Sequence, residues 1–159
     1  MDLENDLEFY LNKIATTIRQ EISKPCSKPF VYVHIETLHY NQLIKEIADI
    51  LFYNGYHLVF YETDMYPNLY ITSIPYDHNN ENLMEEPIPH DFPKASDLFK
   101  KALIDEINLI IDRISCQPEI SLNLDYIAIP FYLLLNKLEE MNYRVYDNKY
   151  GAVCVSKRF

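Results

Sequence analysis

Glycine is nearly missing from this chain. Two glycines in 159 residues leave no room for phosphate-cradling loops, which need backbone free of side chains, and they argue against flexible linkers. Tryptophan is absent, which says nothing of function. Cys26, Cys116 and Cys154 are three, an odd number in no CxxC spacing, and read as reduced thiols of a cytosol-type compartment. No apolar run approaches the roughly twenty residues that a bilayer requires. The opening Met1-Asp2-Leu3-Glu4-Asn5-Asp6 is acidic where a secretory leader is basic and then apolar. Basic residues are outnumbered, 14 against 24, for a formal charge of −10, and their richest runs are only Lys100-Lys101 and Lys157-Arg158. Without a basic stripe to displace counterions from phosphate, nucleic acid is not an expected partner. A soluble cytoplasmic protein is the expectation.

What is present is aromatic and repetitive. Fourteen Tyr and eight Phe accompany a hydrophobic content of 48%, enough for one domain or for two small modules. Leu3, Leu7, Leu11, Ile14, Ile18 and Ile22 recur at helical spacing, with Asp2, Glu4 and Asp6 where the helix dipole favours negative charge. Pro25 and Pro29 forbid continuation. Phe30–Ile35 reads as a strand, apolar on both faces as a central strand would be. Asn41 is a plausible cap for a second helix carrying Leu43, Ile44, Ile47, Ile50 and Leu51, and Gly55 stops it. Strands are expected over His57–Glu62 and Leu69–Ile74, joined as a hairpin by Thr63–Asn68.

The order then repeats. Leu98, Leu103, Ile107, Ile110, Ile111 and Ile114 mark a long helix that Cys116-Gln117-Pro118 breaks. Glu119–Leu124 alternates strictly, as a strand with one wet face does. Pro130 opens a helix carrying Leu134, Leu138 and Met141 inward, and Asn142 takes the place of Gly55. Tyr143–Asp147 and Ala152–Ser156 form a last hairpin. The expectation is an α+β protein of two similar αβαββ modules, 1–74 and 95–159, with mixed sheets and the helices on one face of each. Residues 75–94, rich in Pro, Asp and Glu, form a linker loop. One α+β domain with accidental symmetry is the alternative.

The chemistry is sparse. There is no serine elbow, P-loop or dinucleotide fingerprint. His34 and Glu36 share a strand face, with His39 beyond, and a metal-dependent hydrolase would need them to converge with loop carboxylates. Asp77-His78 and His90-Asp91 bracket Glu81, Glu85 and Glu86 in spacing that matches no metal cage, so the loop reads as solvated. Cys26 and Cys116 follow helix C-termini, the wrong end of the dipole for a nucleophile, and Cys154 sits within a strand. Neither catalysis nor any cofactor or metal site is expected. Tyr53, Tyr56, Tyr61, Tyr66 and Tyr70 cluster around the first hairpin, and alternate residues of a hairpin point to opposite faces. With Glu81, Glu85 and Glu86 they form the expected partner-binding set, because tyrosine buries large area and still satisfies its hydroxyl. An acidic nucleic-acid mimic is a further alternative, if the carboxylates of 1–8 and 77–91 line one face. Three-stranded sheets have edges that invite pairing, so a homodimer is also open.

The segments Leu51-Phe52-Tyr53-Asn54-Gly55-Tyr56-His57-Leu58-Val59 and Leu138-Glu139-Glu140-Met141-Asn142-Tyr143-Arg144-Val145 share a pattern. A helix ending in Gly-Tyr or Asn-Tyr before a β-hairpin resembles a small α/β module seen in proteins of phages and large DNA viruses. The resemblance implies a virus-encoded protein of the host cytoplasm or the virion, either an assembly component or an inhibitor of a host factor. It prescribes no active site.

Overall fold

The computed structural model describes residues 3–60, 68–75, 92–123, 127–147 and 153–157, the side chains of 59, 60 and 68 excepted. The order is α1 (Leu3–Ile22), β1 (Phe30–His34), α2 (Tyr40–Tyr53), β2 (His57–Phe60) and β3 (Asn68–Thr72), then α3 (Ala95–Cys116), β4 (Glu119–Leu122), α4 (Phe131–Glu140), β5 (Tyr143–Asp147) and β6 (Val153–Lys157). The chain is α+β, two similar αβαββ modules each built on a three-stranded sheet with helices packed against it.

Both sheets place the last strand in the middle, in the orders β1-β3-β2 and β4-β6-β5. Every pairing is antiparallel, not mixed as the sequence led us to expect. Each module is a split crossover: β1 and β2 run the same way, α2 connects them, and β3 returns between them through the hairpin. β1 is therefore an edge strand rather than a central one. Its apolar outer residues are aromatic rings that pack on one another, which is why its sequence resembles that of a doubly buried strand.

The compact units are residues 1–101 and 102–159, so α3 contributes its first two turns to the first unit. The first core joins Ile14 and Ile18 of α1, Val31 and Val33 of β1, Leu43, Ile47 and Leu51 of α2, Leu69 and Ile71 of β3, and Leu98 of α3. In the second, Ile107, Ile110, Ile114, Ile120, Leu122, Leu134, Leu138, Val153 and Val155 are buried. Residues 76–91 of the expected linker lie outside the described residues.

The helix stops are built alike. Gly55 has φ +92° and Asn142 φ +69°, both left-handed. The Gly55 N–H donates to Phe52 O (3.0 Å) and the Tyr56 N–H to Leu51 O (2.9 Å), satisfying two carbonyls that the end of α2 would leave orphaned. The Asn142 N–H donates to Glu139 O (3.1 Å) in the corresponding place. Counting from these residues, the sheets have one register: Phe30, Thr72 and His57 stand in a row across the first, and Glu119, Ser156 and Arg144 across the second. Matching order, stops and register make the duplication a property of the backbone.

Two local expectations fail. α2 starts at Tyr40 with His39, not Asn41, in the cap position, and no side chain caps it. Met141 lies one residue beyond α4 and is 40% exposed, because it occupies the turn position that Asn54 holds in the first module.

Candidate functional site: the open face of the first sheet

Side chains alternate along a strand, so with Val31, Val33, Leu69 and Ile71 turned to the helices, Phe30, Tyr32, His34 and Tyr70 lie on the opposite face. Tyr32 and Tyr70 are direct cross-strand partners with ring centroids 5.0 Å apart at 60°. Phe30 packs on both, 4.9 Å from Tyr70 and 5.6 Å from Tyr32. The pairs are mostly tilted or edge-on, the arrangement that ring quadrupoles favour over a flat sandwich. Tyr32 is 54% exposed while Phe30 and Tyr70 are half-buried. These three rings give water an aromatic patch held on a rigid sheet.

α1 fixes the far end of this strand. The Tyr10 hydroxyl donates to Glu36 O (2.8 Å) and accepts from the Glu36 N–H (3.2 Å). Lys13 Nζ donates to His34 O (2.9 Å). Asp6, 7% exposed, accepts from Thr37 Oγ1 (2.6 Å), and Thr37 Oγ1 accepts in turn from the His39 N–H (3.3 Å). Asp6 is thus a clamp between α1 and the loop before α2, and it is lost to the acidic stripe that a nucleic-acid mimic would need.

The expected partner set divides. Tyr70 belongs to the patch. Tyr53 is half-buried and lines a cleft of about 510 Å³ with His57, Lys94 and Phe99. Tyr56 is a correction: it is fully buried, with its hydroxyl donating to Pro93 O (2.8 Å), because the residue after the left-handed Gly55 turns back onto Leu51 and the core. Burial, then the nearby Asp97 carboxylate, hold its phenol far above the ordinary range, against a smaller pull from Arg19. Tyr61, Tyr66, Glu81, Glu85 and Glu86 lie outside the described residues. Phe30 and Tyr32 were missed, although their spacing of two on one strand was the available signal.

Nor do the described candidate ligands converge; Asp77, His78, His90 and Asp91 lie outside the described residues. His34 Nε2 and Glu36 Oε2 are 3.8 Å apart and exposed, whereas His39 stands at the start of α2. Among the described residues no three His, Cys, Asp or Glu side chains are grouped to hold a metal. Cys26 and Cys116 are exposed and Cys154 is buried. Cys116 lines a cleft of about 650 Å³ between α3 and β4. No histidine is among its described lining residues, and Arg113 there donates to Ser121 O (3.1 Å). Among the described residues no helix is long and apolar enough to cross a membrane.

The equivalent face of the second sheet is a different surface. Glu119, Ser121, Arg144 and Tyr146 occupy the row positions of Phe30, Tyr32, His57 and Val59. The Tyr146 hydroxyl donates to the Glu119 carboxylate, and the Arg144 guanidinium lies 4.9 Å from the Tyr146 ring centre. Its polar groups answer one another. No protein-family model, curated protein or solved structure matches this chain.

Proposed function

We propose that this is a non-catalytic binding protein whose contact surface for a protein partner is the open face of the first sheet. The observation that carries the reading is the cluster of Phe30, Tyr32 and Tyr70 on the face away from the helices, with Tyr32 more than half exposed, where the duplicate sheet carries a self-satisfied polar set. Aromatic rings on a rigid scaffold release water from a large area on binding at little entropic cost, and they dominate interface energetics. A charge of −10 favours encounter with a basic partner and disfavours nucleic acid. The likeness of the helix–turn–hairpin segments to viral modules is the ground for reading the protein as virus-encoded, in the host cytoplasm or the virion, as an assembly component or an inhibitor of a host factor. Self-association belongs to the sheet edges rather than to this face.

The test is quantitative affinity capture from cell extract with three versions of the protein. Replacing Tyr32 and Tyr70 together by Ser should lower recovery of a specific partner more than about tenfold. Tyr146→Ser, on the second sheet, should leave recovery unchanged. Equal recovery with all three, or equal loss from both variants, would overturn the assignment of the surface.

A further inference from the structure

A three-stranded sheet has two free edges, and the described edges here are not treated alike. On β1, the Ser73 N–H donates to Pro29 O (2.8 Å), which continues the ladder. The alternation of antiparallel bonding then turns the backbone groups of Phe30, Tyr32 and His34 outward. The outward His34 carbonyl is capped by Lys13, and the Glu36 backbone beyond it by Tyr10. On β4 the Ser121 carbonyl is capped by Arg113. Polar side chains on an exposed edge are a common device against unwanted pairing. β5 has no such guard: among the described residues no side chain hydrogen-bonds its backbone, and its partner strand is β6 alone.

The residues of β5 also complement themselves. They read Tyr143-Arg144-Val145-Tyr146-Asp147. An antiparallel pair with two-fold symmetry at Val145 sets Arg144 opposite the second copy's Tyr146, and Tyr143 opposite the second copy's Asp147. The first contact extends one already present, since Arg144 lies over its own Tyr146 ring, and the second matches a phenol to a carboxylate. Val145, half-buried at the edge, meets its own copy. Neighbouring registers that keep each face continuous are worse: one sets Arg144 against itself, the other Val145 against Asp147.

We propose that β5 pairs antiparallel with β5 of a second copy of this chain, joining two three-stranded sheets into one of six strands. This inference is independent of the aromatic face, which lies on the other module. Five-residue strands make a small interface, so the dimer is weak and concentration-dependent.

Sedimentation of the full chain from about 1 to 500 µM should show a monomer–dimer equilibrium within that range. Tyr146→Lys alone should weaken it about tenfold or more, by setting two cations opposite each other. Adding an equimolar Arg144→Glu chain should restore association of the Tyr146→Lys chain, because the carboxylate introduced in one chain then faces the ammonium introduced in the other. In a Cys26→Ser, Cys116→Ser background, Val145→Cys should form a disulfide-linked dimer on mild oxidation, and Asp147→Cys should not. Circular dichroism of each variant separates loss of pairing from loss of fold. A chain monomeric across the range, or a dimer indifferent to Tyr146→Lys, would overturn the proposal; so would a mixture that fails to associate while both variants stay folded.

Discussion

The outer faces of the two sheets share strand order, handed turn and register, yet almost nothing in chemistry. Where the first has Phe30, Tyr32 and Tyr70 packed on one another, the second has Glu119, Ser121 and Cys154 in the same rows. The second face closes by hydrogen bond and cation–π contact. The first leaves a tyrosine more than half exposed. The backbone needs only the inward residues, the left-handed stop and the hairpin. What faces outward is free to differ, and the face that keeps aromatic area in water is the one available for recognition.

The comparison breaks most severely at the shared core. Leu51 and Leu138 each sit two residues before the last residue of their helix and are fully buried. Either residue changed to Ala should cost about 3 kcal/mol in its own unit, measured by chemical denaturation followed by circular dichroism. A much smaller cost at Leu138 would mean that the second unit packs loosely despite the common plan.

A middle-sized effect separates the two stops. Gly55→Ala should cost about 2 kcal/mol, part from the left-handed backbone. The rest comes from steric pressure, because a Cβ there would stand 3.1 Å from the Ala95 Cβ. Asn142→Gly should be neutral or slightly stabilising, since glycine adopts the same φ without strain. If Gly55→Asn proves as harmless as Asn142→Gly, the close approach of Ala95 does not matter.

The smallest effect is electrostatic. His57 and Arg144 hold the same register position. Burial lowers the His57 pKa below its ordinary 6.5. The unfolded chain therefore binds the proton more readily than the folded one. The stability linked to this histidine is complete above the unfolded pKa and is lost as pH falls through the folded value. Between about pH 7 and about pH 5 the thermal midpoint of the first unit should fall slightly more in the native chain than in His57→Gln, since glutamine removes the titration. Arg144 stays charged throughout that range, so Arg144→Gln should not change the slope. Equal slopes for native and His57→Gln chains would remove the contrast.

Local rules carried far in this chain. Leucine and isoleucine at helical spacing located α1 and α3, Pro25 and Pro118 bounded them, and the correspondence of Gly55 with Asn142 was legible because few residues tolerate a left-handed φ. The hairpins followed from turn chemistry between β-rich runs. Interior and surface were harder. Phe30 and Tyr32 look like core in a sequence and are not, whereas Tyr56 looks like surface beside Gly55 and is core. Asp6 reads as a dipole charge at a helix start and is a buried acceptor for Thr37.

The inventory of elements was written locally: two long amphipathic helices, two shorter ones, left-handed stops and hairpins, in one order given twice. Each depends on residues within a turn or two of one another, where periodicity and φ preference act. Long-range packing inserted β3 and β6 between the other strands. It thereby made β1 an edge, brought Tyr70 beside Tyr32, sent Tyr56 inward to Pro93 and capped His34 with Lys13 from α1. Those contacts join residues tens of positions apart, so no local pattern encodes them. They follow from which apolar face each element can bury once the others are in place.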